Sequence, residues 1–331
     1  MTESLTRVVL ENESVRAVIL PELGGKIASI LIKRTGLELL QQPLHPYGKR
    51  AWAQDFAASD ASGWDECLPT VSACEVSVGS EPKQLPDHGD VWLLPANCSA
   101  DATEINLETT LVSMPLHLHR QIILAGSSLH IRYELRNDAP FAVPYLWSAH
   151  PLFTVEAGDR IVLPGDVRTL RVEGSAEHRL GKHNDLCSWP IAQDRDGRNA
   201  DLRIVQGTET AIAEKLFTGP LPHGWCGLYR TQQQAGVLLS FAPERVPFLG
   251  LWLCYGGWPS NSAQKQHAVA LEPCMVPVDS LAEALVTGCA STLAAQEAFV
   301  WQMQLTIAGA DKGLSFEEFA ELSPTATVSA E

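Results

Sequence analysis

Short apolar or alternating runs, broken every few residues by Gly, Pro, Asn or Asp, recur along most of the chain. That texture predicts many antiparallel strands joined by turns. Residues 15–20 stop at Pro21, residues 26–33 follow a Gly24-Gly25 turn, and residues 105–112 alternate as INLETTLV. Residues 129–136 alternate as LHIRYELR before Asn137-Asp138. Further strands are predicted over residues 159–163, 237–241, 248–255, 267–272 and 299–307, and the phrases VWLL (91–94) and VPYLWSA (143–149) read as strands too. Helical signals are confined to residues 279–285, where Asp279 or Ser280 supplies the N-cap, and to the acidic stretch 315–321.

So many strands must bury one another's apolar faces, which predicts an all-β fold: a large antiparallel β-sandwich with few short helices. Alternating positions on a broad, curved sheet can line a ligand groove. With no fixed-period repeat and no low-complexity linker, residues 1–322 are expected to form one domain, and 323–331 a disordered tail with little apolar surface to bury. The segment 173–197 is expected to be a surface excursion.

Composition narrows the function classes. In 331 residues, 45% hydrophobic and 19% charged content suffices for a real core, and no run approaches the ~18 apolar residues of a membrane span. The opening MTESLTRVVLENESV lacks the basic start and apolar stretch of a signal peptide. Eight cysteines without a C-x-x-C pair read as reduced thiols of a cytoplasmic protein. A formal charge of −15 disfavours nucleic acid; a neutral small molecule is easier to accommodate.

Three separated phrases each offer a proton-handling side chain: His88 in DHGDVW, His150 in SAHPLF and Glu272 in LEPCMVP. Two imidazoles and a carboxylate suit acid/base chemistry near neutral pH. His88, between Asp87 and Gly89, is either a site residue or a solvated turn residue. His150 precedes Pro151, which holds it extended at the end of its strand. It is either a satisfied core histidine or one tuned for proton donation by the aromatics around it. Glu272 falls on the small-residue side of its strand with Ala268 and Ala270, opposite Val269 and Leu271; it faces solvent on an edge strand or acts as a base in a polar cleft. Two His and a Glu can also ligate a metal, but no short-spaced ligand pair supports one. Aromatic platforms bind sugar faces; of Trp64, Trp92, Trp147, Trp225, Trp252 and Trp258, which cluster near Gly/Pro turns, one or two are expected as contacts, with Trp64 and Trp252 chosen, and Asp65 and Glu66 either accept sugar hydroxyls or cap a turn.

Taken together, NESVRAVILPELGGKIASI, GWDECLPT, DHGDVW, WSAHPLF, the stretch from Lys215 through GWCGLYR, VPFLGLW and LEP resemble, in order and spacing, the galactose mutarotase (aldose 1-epimerase) superfamily. The resemblance spans most of the chain. It implies a β-supersandwich that opens a pyranose at its anomeric carbon and recloses it from the other face, with no cofactor or metal. It casts Glu272 as base, His150 as acid at the ring oxygen and His88 as supporting donor, with Trp64, Asp65, Glu66, Asp87, Lys215 and Trp252 about the sugar. The family's upstream Asn-Arg pair is replaced here by Trp64, Asp65 and Glu66; Arg50 is the nearest arginine, in different surroundings.

Overall fold

A computed structural model of the chain describes residues 5–322; the tail expected at 323–331 lies outside them. Two large antiparallel sheets dominate. In the eleven-stranded sheet the main path runs Val8–Glu11, Val15–Leu20, Lys26–Ile32, Trp64–Cys67, Ser148–Thr154, His267–Cys274, Phe248–Tyr255, Ile212–Thr218, Thr169–Ser175 and Leu186–Ser188, with Leu37–Glu38 paired to Lys26–Ile32. The eight-stranded sheet runs Arg160–Val162, Trp225–Arg230, Ala235–Phe241, Ala298–Ala308, Ser128–Asn137, Leu116–Ala125, Glu104–Thr110 and Asn97–Ala100. The predicted all-β sandwich is therefore what the chain forms.

Alternation builds the layer between the sheets. Ile105, Leu107, Leu118, Ile122, Ile131 and Leu305 of one sheet bury against Ile30, Leu216, Leu251, Val269 and Leu271 of the other. At its centre Tyr133 stacks on Trp301, 4.9 Å between ring centroids, with Trp147 edge-on to both. A buried polar knot spans this apolar layer. Glu66 accepts hydrogen bonds from Tyr133 Oη (3.0 Å), Trp147 Nε1 (2.9 Å) and Arg120 Nη1 (3.1 Å). Arg120 Nη2 then donates to the carbonyls of Gly24 and Gly25, at 2.6 and 3.0 Å. Each of these polar atoms finds a partner, yet burial outweighs Arg120 and the two hydrogen bonds and pushes the Glu66 carboxyl up to about 7.

Both helices form where predicted: Leu281–Thr287, with Ser280 rather than Asp279 as N-cap, and Phe316–Glu321, with a capping box on Ser315. Three expectations are corrected. VWLL forms no strand; Val91–Leu93 is a 3-10 turn whose residues are all buried. VPYLWSA is broken at Leu146-Trp147, between Val143–Tyr145 and Ser148–Thr154. The excursion at 173–197 contains strand residues at the rim of the large sheet, notably Leu186–Ser188. Among the described residues no helix is long and apolar enough to cross a membrane.

Candidate functional site

Four adjacent strands, Ser148–Thr154, His267–Cys274, Phe248–Tyr255 and Ile212–Thr218, carry a cleft on the sheet face turned away from the second sheet. Period-two alternation decides what reaches it. Val269 and Leu271 enter the main core, whereas Ala268 and Ala270 pack in a separate cluster with Phe56, Trp92, Leu152, Trp252 and Trp258. Glu272 shares the alanine face, as its register predicts. Lys215 faces the cleft from a position directly opposite Trp252. The cleft holds or opens onto about 550 Å³ of space free of protein atoms.

Glu272 is fully buried and divides its two oxygens between two tasks. Oε2 accepts from Lys215 Nζ; Oε1 has no hydrogen-bond partner and lies 3.8 Å from His150 Nε2. Lys215 Nζ also stands 3.4 Å from Asp279 Oδ1. Burial alone would pull the Lys215 amine down, but the Asp279 and Glu272 carboxylates outweigh it and hold the amine raised and charged. Asp279 is pushed up to about 6 by burial, against the pull of Lys215. Gly250 is the cross-strand partner of Glu272. A Cβ there would meet Phe217 Cε1 at 3.1 Å and Glu272 Oε2 at 3.3 Å, so glycine leaves the carboxylate its room.

His150 lies inside Ser148–Thr154, opposite Asp65, and not at a strand end as the sequence suggested. The continued pairing beyond Pro151 is what the pre-proline reading missed. Burial first, then the charges of His88, Lys215 and Lys26, hold its pKa well below the ordinary value. The imidazole is neutral near pH 7, and its Nδ1 is buried without a hydrogen-bond partner.

His88 projects from a turn with φ +59°, an uncommon conformation for a non-glycine residue. Gly89 follows at φ +73°, and a Cβ there would sit 2.2 Å from the Leu68 carbonyl oxygen. Only glycine lets this turn press against the end of Trp64–Cys67. The His88 ring stacks on Phe56, 3.9 Å between centroids, and meets the His150 ring edge-on at 5.0 Å. Asp87 Oδ1 holds its Nδ1 at 2.9 Å, while Asp87 Oδ2 accepts the Phe56 N–H at 3.1 Å. Burial would raise the Asp87 carboxyl, but its contacts with His88 and the backbone outweigh burial and lower it.

Of the residues expected about the site, Glu272, His150, His88, Asp87, Lys215 and Trp252 line one cleft, and Trp64, Asp65 and Glu66 do not. Trp64 and Glu66 face the inter-sheet core. Asp65, on the alternate face, is consumed by Lys26 Nζ at 2.6 Å and Arg50 at 3.5 Å. Arg50 is buried beside Asp60 (2.5 Å) with its guanidinium 4.6 Å from the Trp92 ring centroid, and reaches no part of the cleft lining. Phe56, Val71, Ser72, Leu152, Trp258, Gln266 and Asp279 complete the lining and were not assigned to it from the sequence. Trp258 stands in a Gly-Gly-Trp-Pro turn that could have flagged it; the others lie in segments without a motif. Two groups have metal-ligand composition among the described residues: Cys67, His88 and His150 beneath the cleft, and Glu173, His183 and Glu283 elsewhere.

No family model and no curated protein matches the sequence. Solved structures do match. The Slr1438 protein from Synechocystis sp. PCC 6803 superposes with a TM-score of 0.71 at 17% identity, over 93% of this chain and 98% of that one. A galactose mutarotase related enzyme from Lactobacillus acidophilus gives 0.68 at 13% identity, over 94% and 100%. A galactose mutarotase-like protein from Lactobacillus casei ATCC 334 gives 0.62 at 16%, over 91% and 100%. The chain therefore has the galactose mutarotase-like fold along nearly its whole length.

Proposed function

We propose that the chain is an aldose 1-epimerase-like enzyme that interconverts the α and β anomers of a free sugar. One observation carries the reading: an unpartnered, buried carboxylate oxygen of Glu272 lies 3.8 Å from a histidine nitrogen at the bottom of an aromatic-walled cleft. The anomeric hydroxyl and the ring oxygen of a pyranose are bonded to the same carbon, so the groups serving them must both reach one small region.

Glu272 Oε1 takes the proton of the anomeric hydroxyl, while Oε2 stays paired with the Lys215 ammonium. His150 serves the ring oxygen. The imidazolium form, protonated from solvent before the sugar binds, gives its proton to the ring oxygen as Glu272 takes the anomeric one, and reclosure returns both; the depressed pKa makes this form a stronger acid but a minor one near pH 7. As the C–O bond breaks, the aldehyde turns about its C1–C2 bond and recloses with the two proton transfers reversed. His88, fixed by Asp87 and stacked on Phe56, donates to a sugar hydroxyl. Trp252 and Trp258, edge-on at 6.1 Å, supply apolar wall for the ring faces.

The test is exchange between anomers of freshly dissolved sugars, followed by NMR or polarimetry across a broad panel. Acceleration over buffer that Glu272→Gln removes, with binding of the same sugar retained, supports the assignment. Saturable binding without exchange by the unaltered chain would instead make it a sugar-binding protein of this fold. The Lys215–Glu272 ion pair, which occupies half of the base, is the feature that would favour that second reading.

A further inference from the structure

Beneath the cleft floor lies a thiol that the proton chemistry does not use. Cys67 is fully buried on the last position of Trp64–Cys67. Two-residue alternation puts its side chain on the same face as Asp65, whose cross-strand partner is His150. His88 arrives from a turn that runs alongside the end of the same strand, through a parallel bridge between Leu68 and Gly89. One ligand atom each from Cys67, His88 and His150 thereby falls within 4.8 Å of the other two.

We infer that these three side chains form a binding site for one divalent cation of the zinc class. Three atoms so spaced always have a common point within about 2.8 Å of each, and zinc bonds of about 2.3 Å to sulfur and 2.0–2.1 Å to nitrogen then require each atom to close in by less than about 1 Å. Two of the three stand on adjacent strands, so their relative placement is set by the sheet. The third rides on a turn and supplies the adjustment.

Independent features support a ligating role. His150 Nδ1 is buried with no hydrogen-bond partner, a state that costs free energy unless something occupies it. His88 has one ring nitrogen held by Asp87 at 2.9 Å, the carboxylate-to-imidazole arrangement that orients the other nitrogen toward a metal. Thiolate with two imidazoles selects zinc, cobalt or nickel over magnesium or calcium. In the second metal-like group, by contrast, Glu173 is already paired with Arg171 at 2.6 Å and His183 with Glu283 at 3.0 Å.

Ligation would take the imidazoles that the sugar chemistry needs, so cation and sugar exclude one another. The experiment is titration of the reduced, chelator-stripped full chain with Co2+, followed by absorbance. The expected result is one equivalent bound, with a near-ultraviolet sulfur-to-cobalt charge-transfer band that Zn2+ displaces. Cys67→Ser should abolish the band, and His88→Ala should weaken binding at least about tenfold. Absence of the band overturns the proposal, and so does a band that survives Cys67→Ser, since Cys74, Cys98 and Cys289 are more accessible thiols. Circular dichroism checks each variant; if Cys67→Ser does not fold, His88→Ala on the turn decides. A metal-free chain that exchanges no anomers counts against the enzyme reading alone, because the cobalt titration needs no sugar.

Discussion

Lys215 and Glu272 illustrate how much one residue can depend on its neighbour's charge. Both are buried, and Asp279 adds a second carboxylate against the same ammonium. Removing the cation with Lys215→Met leaves two buried acids facing each other, so a loss of about 3–5 kcal/mol is expected in denaturant unfolding. Gly250 tests space in place of charge. Gly250→Val drives a side chain into Phe217 and the Glu272 carboxylate. Anomer exchange should fall about a hundredfold, since displacements near 1 Å cost that much, while circular dichroism shows the fold intact. A rate within twofold of the unaltered chain would mean that Glu272 is not the base. Glu272 itself was legible in the sequence because Ala268 and Ala270 mark a roomy face. Lys215 was legible only through the family resemblance, and Asp279, which had served the sequence reading as a helix cap, gave no sign of facing the cleft.

Among the elements, the turn at residues 86–90 is the most demanding. His88 and Gly89 both take positive φ so that the histidine reaches the cleft while the backbone closes on Leu68. Gly89→Ala meets a carbonyl oxygen at 2.2 Å and cannot be absorbed without moving the turn. Thermal unfolding should report a destabilisation of about 1–3 kcal/mol, and sugar affinity by calorimetry should weaken as His88 shifts off Phe56. Asp-His-Gly marks this turn in the sequence, but the neighbouring VWLL carries no comparable signal. Apolar and short, it has no period to separate strand from buried turn, and tertiary packing made it a 3-10 turn. The strand carrying His150 was misplaced for a related reason. Pro151 restricts the backbone locally but does not reveal that Ser148–Thr154 continues to pair on both sides.

Across the whole molecule, two buried ionic clusters hold elements together without touching the cleft. Glu66 ties the sheets through Arg120, Tyr133 and Trp147. Glu66→Leu should therefore cost about 3–5 kcal/mol by stranding the Arg120 charge, with sugar affinity measured on the folded fraction unchanged; weakened affinity would restore Glu66 to the site. Asp60 anchors Lys26 and Arg50 at 2.9 and 2.5 Å. Burial opposes its ionisation, but the two cations outweigh burial and lower its pKa from 3.8 to about 2. A depressed carboxyl stabilises the fold above its unfolded value and stops doing so below its folded one. Roughly 2 kcal/mol should thus be lost between about pH 4 and pH 2. Asp60→Asn should remove that part of the acid dependence in urea unfolding.

Local sequence sufficed for the class of fold, the small-residue face of the strand bearing Glu272, and the three phrases that hold His88, His150 and Glu272. Each is written in local periodicity and turn chemistry, which need no knowledge of distant residues. Tertiary structure alone decided that Asp65 and Glu66 belong to ion pairs and not to the cleft, that Phe56 and Trp258 wall it, and that Cys67 lies under both histidines. These depend on which strands become neighbours across tens or hundreds of residues. Pairing of that range is set by burial of the whole sheet, and no short window of the chain encodes it.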